Sequence, residues 1–417
     1  MDDPVNIRGL KRFAVSRAGE VPLPSCAEPT GKHVAIIGGG PGGLSAAYYL
    51  RLMGHEVTIF EQRKQFGGML RYGIPSYRLP REVLQAEIDT ILSLGIHAKT
   101  EVSVGEHPSV MDLHREYDAV YIAIGAHTDR KVGIEGEDAS GVISAVQMLR
   151  DIGDNRLPDF SGKRVCVIGG GNVSMDVARS AVRLGADSVK VVYRRRKIDM
   201  TAQPEEVEGA IAEGCEILEL QKPVRIEKDA NGCVAALIAK PQIVGQIQKG
   251  RPVPVDSAEP EMRIACDLVL VAIGQGIQAQ PFEKDGIPVK RGVIDAMNWS
   301  GIRNIPGVFA GGDCVTGPAT VIRAIAAGKV AAANIDEYLG FNHTISCDVE
   351  IPPVRFDEKL HRGRINLRLR PAEERRGDFC LMECGMTEEE AAAEAGRCLR
   401  CDKFGYGIFK GGRQREW

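Results

Sequence analysis

Apolar residues along this chain follow two alternating patterns. Short β-branched runs that end in glycine, such as Val34–Ile37 before Gly38-Gly39-Gly40, read as buried parallel strands feeding a tight turn. The stretch that follows puts Ala46, Ala47, Leu50 and Met53 on one side at helical spacing. Gly54 stops it, and Val57–Phe60 returns to strand. Lys32 to Glu61 is thus predicted as a strand–helix–strand unit.

The pattern then recurs. Lys163 to Tyr193 repeats strand, glycine turn, helix and strand, and the apolar run Asp118–Gly125 (DAVYIAIG) is echoed by Asp267–Gly274 (DLVLVAIG). One more strand is expected in Pro306–Cys314 (PGVFAGGDC), with a helix beginning near Pro318. A short basic helix is expected at Ile7–Ser16 and an amphipathic one at Arg81–Leu94. The repeat predicts an α/β chain of two similar domains, each closed by the same kind of strand. The expected division is 1–30 (N-terminal helix and Pro-rich linker), 31–135 with 281–340 (first nucleotide domain), 136–280 (second) and 341–417 (tail).

The glycines carry candidate chemistry. Gly38, Gly40 and Gly43 form G-x-G-x-x-G at a strand-to-helix junction: the first allows the turn, the second lets backbone approach a pyrophosphate, and the third lets helix and strand pack closely. Phosphates then sit at the helix N-terminus. Glu61 stands 23 positions after Gly38, placed to accept from a ribose hydroxyl pair. In the second unit Gly169, Gly171 and Ser174 take the three positions, since a small residue can replace the third glycine. No acid ends its second strand. Instead the chain reads Tyr193-Arg194-Arg195-Arg196-Lys197, and arginines there can accommodate a 2′-phosphate, which favours NADP without excluding NAD. In Phe66–Pro80 (FGGMLRYGIPSYRLP), Gly67, Gly68 and Gly73 bring backbone close to a ligand, and Arg71 and Tyr72 are placed to flank a planar ring. Asp313 is placed to accept from sugar-chain hydroxyls.

Composition narrows the setting. At 417 residues there is room for about two to three domains. With 53 basic and 56 acidic residues, no global field calls for nucleic acid or an anionic membrane. The N-terminus MDDPVNIRGLKRF has no apolar run, which argues against a secretory signal, and no stretch suggests a membrane span; a cytoplasmic location is expected. Of eleven cysteines, seven are scattered, as suits reduced thiols, and four lie between Cys380 and Cys401.

Taken together, GGGPGGLSAAYYL, FGGMLRYGIPSYRLP, GGGNVSMD, VVYRRR and GVFAGGDC…GPATVIRAIAAGK resemble the small, flavin-bearing subunit of glutamate synthase and its relatives, from about Asn6 to Leu339. The resemblance implies a flavoprotein with two Rossmann-like domains, of the glutathione/thioredoxin reductase type. It also implies FAD on the first site and NAD(P)H on the second, with hydride passing between stacked rings and no compulsory acid or base. The candidate FAD contacts are Gly38, Gly40, Pro41, Gly43, Glu61, Gln62, Gly68, Leu70, Arg71, Val102, Gly125, Gly312, Asp313, Thr320 and Val321. The candidate nicotinamide-nucleotide contacts are Gly169, Gly171, Asn172, Val173, Arg194, Arg195 and Gly274.

Departures from the family bear on function. The cluster-bearing N-terminal domain of such subunits is represented here only by VNIRGLKRF, and RCLRCD resembles a cysteine-rich extension that stops early, which argues against glutamate synthesis itself. On domain content the chain resembles the flavin subunit that connects tungsten-containing aldehyde oxidoreductases to NAD. No Cys-x-x-Cys accompanies GGGNVSMD, so a disulfide is not the next acceptor. Electrons are expected to pass to an iron–sulfur partner subunit; a stand-alone reductase of a small molecule and a non-catalytic scaffold are the alternatives. In the tail, Thr387 and Glu390 form a capping box that predicts a helix to about Leu399. Cys380 and Cys384 precede that helix and Cys398 and Cys401 end it, four thiols for a [4Fe–4S] cluster or, less favoured, zinc.

Overall fold

The computed structural model describes residues 3–19, 21–105, 107–248, 251–297, 300–345 and 363–398. His33–Ile37, with four of five residues buried, sits at the centre of a five-stranded parallel sheet. Its order is Val308–Ala310, Ala119–Ile122, His33–Ile37, Glu56–Phe60, His97–Lys99. A second parallel sheet repeats the arrangement around Arg164–Ile168: Val142–Ser144, Leu268–Val271, Arg164–Ile168, Ser188–Tyr193, Glu216–Glu219. The near-continuous apolar strands are what burial on both faces requires.

The outermost strand is supplied differently in each sheet. Val308–Ala310 reaches the first sheet only after the chain has finished the second, whereas Val142–Ser144 precedes the rest of the second. The chain therefore crosses twice, and the crossings pair: Thr128–Asp129 lies antiparallel to Gln275–Gly276. Each crossing follows directly on one of the two AIG segments.

Three elements differ from expectation. The helix foreseen near Pro318 is two: Asp313–Thr316, broken by Gly317 at φ 82°, and Val321–Tyr338 beginning at Thr320. Arg81–Leu92 stops two residues early, where Gly95 at φ 88° turns the chain. Not foreseen at all is an antiparallel sheet of Gln221–Lys228, Val234–Gln248, Arg251–Asp256 and Met262–Ala265, inserted before Leu268–Val271.

The tail segment 363–398 packs on the N-terminal helix Ile7–Arg17. The Asn6 backbone donates to Glu394 at 2.7 Å, Arg8 and Arg12 pair with Glu383, and Arg17 meets Glu388 at 2.7 Å. Among the described residues no helix is long and apolar enough to cross a membrane.

Candidate cofactor cleft and second nucleotide turn

At the first turn the glycines have separate duties. Gly38 has φ +106°, and a Cβ there would lie 2.5 Å from the Ala123 carbonyl oxygen. A Cβ on Gly43 would lie 1.9 Å from the Gly38 oxygen, so that glycine is required by packing. Gly40 is different. A Cβ on it would meet nothing closer than the Gly68 Cα, at 3.7 Å, so Gly40 and Gly68 leave two bare stretches of backbone facing each other. Glu61 supports the turn: its Oε2 accepts the Gly39 N–H and its Oε1 the Arg63 N–H, both at 2.8 Å. Burial raises the Glu61 pKa, against those hydrogen bonds, which lower it.

These residues border an open cleft of about 1090 Å³, solvent included. Gly38, Gly40, Pro41, Glu61, Gln62, Gly68, Val102, Gly125, Gly312 and Asp313 line it. Gly43 lies behind the turn, and Leu70 packs against the first domain's core. Thr320 is exposed at the N-cap of Val321–Tyr338, with Val321 beside it. Arg71 departs from expectation: its Nε donates to the Phe66 oxygen at 2.8 Å and its Nη2 to Gln85 at 2.5 Å, turning the guanidinium into the protein. Of the anticipated ring-flanking pair, Tyr72 alone borders the cleft. Two helices converge here, Pro41–Leu52 and Val321–Tyr338, crossing so tightly that a Cβ on Gly328 would sit 2.2 Å from the Gly42 oxygen. Burial raises the Asp313 carboxyl.

Arg63, His127 and Gln278 also line the cleft and were not anticipated. Arg63 lies over the Tyr72 ring at 5.2 Å, and its buried Nε has no hydrogen-bond partner. Burial, with Arg63 and Arg150 nearby, lowers the His127 pKa to about 4, so this imidazole is neutral near pH 7. These residues come from separate segments, and no short pattern joins them. His127 and Gln278 flank the paired crossings.

The second turn repeats the first with one change. Gly169 has φ +147°, and its Cβ would lie 2.3 Å from the Ala272 oxygen. Ser174 takes the third position: its hydroxyl donates to that oxygen at 3.2 Å and accepts the Gly171 N–H at 3.3 Å. Gly171 caps the helix Asn172–Arg183. The exposed Asn172 accepts from the Gln203 N–H at 2.9 Å, Val173 packs on the second domain's core, and Gly274 has φ +128°. In the basic run, Arg196 is held by Asp199 at 2.8 and 3.0 Å. Arg194 is exposed, and Arg195 has a buried Nε with no partner.

Three of the four tail cysteines lie among the described residues. Among the described residues Cys380, Cys384 and Cys398 form no group of ligand atoms within 4.8 Å, so no tetrahedral zinc site is preformed by them. Cys384 is held through its N–H to the Arg368 oxygen, and the helix Glu388–Gly396 then advances the chain by about 13 Å. That helix has its capping box and ends before Leu399, which, like Cys401, lies outside the described residues.

Two glycine turns on two like sheets, joined by paired crossings, define a flavoprotein-type fold with two dinucleotide-binding domains. The family model for pyridine nucleotide-disulphide oxidoreductases matches residues 32–328, and the chain belongs to that family of FAD-containing, NAD(P)H-dependent oxidoreductases. It is 40% identical over 456 residues to the NADP(+)-dependent formate dehydrogenase subunit beta of Moorella thermoacetica, covering 99% of this chain and 64% of that protein's length. It is 34% identical to the glutamate synthase (NADPH) small chain of Escherichia coli K12, over 80% of this chain and 75% of that one, as the motif resemblance implied. Among solved structures, Mycobacterium tuberculosis FprA in complex with NADPH shares the fold, with a TM-score of 0.65 at 21% identity over 75% of this chain and 85% of that one.

Proposed function

We propose that this chain is the flavin-bearing electron-transfer subunit of a larger oxidoreductase, taking reducing equivalents from NADPH and delivering them to an iron–sulfur partner subunit. The observation that carries the reading is the pairing of a cleft built for FAD with a second, separately built nucleotide turn, in a chain with no Cys-x-x-Cys beside that turn. The cleft fits FAD on its own features: the bare Gly40–Gly68 cradle, Glu61 at the strand end, two convergent helix N-termini and the unpartnered Nε of Arg63. When bound, the flavin supplies the change from two-electron to one-electron chemistry.

The protein's own residues bind and orient. Gly40, Pro41, Gly68 and Gly312 would take the pyrophosphate side of the cleft, Glu61 the ribose, and Tyr72, Val102 and the neutral His127 the walls. On the second turn, Gly171 and the amides of Asn172 and Val173 would hold the NADPH pyrophosphate, with Arg194 and Arg195 on the 2′-phosphate. The relatives with subunit names support a partner. The tungsten-linked reading stands on domain content alone.

Affinity purification under anaerobic conditions tests this. Co-elution of an iron-containing chain, with NADPH-dependent reduction of its clusters, is the expected result. Isolation as a lone flavoprotein that turns over a small acceptor would favour the stand-alone reductase.

A further inference from the structure

His55 follows the glycine that ends the first fingerprint helix and lies, fully buried, at the amino end of strand Glu56–Phe60. Two groups from the far end of Val321–Tyr338 meet it: Asp336 in the last turn and His343 just beyond. Asp336 Oδ1 lies 3.0 Å from His55 Nε2 and 2.7 Å from His343 Nδ1, while Oδ2 accepts the His343 backbone N–H at 2.9 Å. The three ligand-capable atoms all lie within 4.8 Å, the one such His/Cys/Asp/Glu group among the described residues. Asp336 is fully buried and the His343 side chain is 28% exposed, which gives the group a dry floor and one side open to water.

Two imidazoles and a carboxylate suit zinc and neighbouring divalent transition ions. A tetrahedral zinc with bonds of about 2.0–2.1 Å keeps its ligand atoms about 3.3 Å apart. The two separations from Asp336 Oδ1, 3.0 and 2.7 Å, need to open by only about half an ångström, and the two imidazole nitrogens already lie within 4.8 Å of each other. The outer contacts are in place. His55 Nδ1 lies 2.7 Å from Thr30 Oγ1, which is 3.3 Å from the Gly54 oxygen, a chain that can take an Nδ1 proton and orient the ring. Phe341 provides an apolar wall, stacked on His343 at 5.5 Å and edge-on to His55 at 5.5 Å.

We propose that His55, Asp336 and His343 bind one divalent transition-metal ion, zinc foremost, with water as the fourth ligand. The ion pins the end of Val321–Tyr338 to the amino end of strand Glu56–Phe60. On binding, each imidazole carries its proton on the nitrogen away from Asp336, which for His55 is the one facing Thr30. Because the flavin cleft lies at the carboxyl end of that strand, the ion serves the fold rather than the redox chemistry.

The test is calorimetric titration of Zn²⁺ into chelator-treated protein, with melting temperature and the ligand-field absorption of Co²⁺, beyond the flavin bands, as further readouts. One ion per chain is expected, with affinity falling at least tenfold in His343→Ala and in Asp336→Asn. Both the rise in melting temperature and the tetrahedral Co²⁺ spectrum should be lost in His343→Ala. His343 is partly exposed beyond a helix end, so this variant should stay folded, which its retained flavin and unfolding cooperativity report. Binding should survive replacement of Cys380, Cys384, Cys398 and Cys401 by serine. No binding, or binding that His343→Ala leaves intact and the serine variant abolishes, would overturn the proposal.

Discussion

The guanidinium of Arg183 lies 4.0 Å from the centre of the Tyr77 ring, a buried contact between the segment after the first cleft and a helix of the second domain. The Tyr77 hydroxyl also donates to the Asp176 backbone oxygen at 3.1 Å, and the Tyr77 backbone oxygen accepts the Met382 N–H of the tail at 2.9 Å. Both domains and the tail therefore converge on one residue. A cation over a desolvated ring contributes about 2 kcal/mol. A double-mutant cycle of Tyr77→Leu with Arg183→Met, read by denaturant unfolding, should give a coupling of about 1–2 kcal/mol. Additive effects would show that the ring and the cation do not act together.

Beside that contact, the fully buried Glu213 accepts from Arg179 at 3.0 and 2.6 Å, from Arg183 at 2.6 Å and from Arg375 of the tail at 2.6 Å. Burial alone would raise its pKa, but the arginine hydrogen bonds hold it at about 2. A depressed carboxylate stabilises the fold above its unfolded pKa and loses that contribution as pH falls toward the folded value. Glu213→Gln should cost about 3–5 kcal/mol near neutrality by leaving buried guanidiniums uncompensated. The gap from wild type should shrink between about pH 4.5 and 2 in thermal melts, and a gap independent of pH would contradict the assignment.

Gly38 and Gly40 should fail differently. At Gly40 a Cβ has 3.7 Å to the Gly68 Cα, so Gly40→Val should fold while its methyl groups fill the cradle and exclude FAD. Gly38→Val meets the Ala123 oxygen at 2.5 Å and strains a φ of +106°, and should lose the fold with the flavin. Circular dichroism and flavin absorbance on the two purified variants separate these outcomes. A yellow Gly40→Val would refute the cradle.

Nucleotide choice should follow Arg194 and Arg195, since Arg196 is occupied by Asp199. Replacing both by glutamine removes charge-assisted bonds of about 1.5–3 kcal/mol each to a 2′-phosphate. NADPH use should weaken by orders of magnitude with NADH use spared, as steady-state kcat/KM for each would report. Equal loss for both nucleotides would remove the basic run from specificity.

Much of this architecture was legible because it is local. Strand runs, the glycine turns and Ser174 in a glycine's place are all written in contiguous residues. Even the echo of DAVYIAIG in DLVLVAIG acquires a reason, because Ala123 and Ala272 each present the carbonyl against which the first glycine of a turn is packed. What could not be read depends on partners distant in sequence. Arg71 looked free to flank a ring until Gln85, one helix away, took its guanidinium. Arg63 and His127 reach the cleft from different strands' ends, whereas the tail helix between Cys384 and Cys398 was legible from its capping box. The antiparallel insertion was missed although Asn231-Gly232 between its first two strands is a hairpin signal.

The central claim is that the second turn delivers NADPH to a flavin held in the first cleft. Anaerobic titration of the purified flavoprotein with NADPH, followed by flavin absorbance, tests it most directly. One equivalent should bleach the flavin, and Gly171→Val, which blocks the second turn alone, should leave the flavin bound but no longer reducible by NADPH. A flavin that NADPH does not reduce, or one reduced equally well in Gly171→Val, would contradict the account.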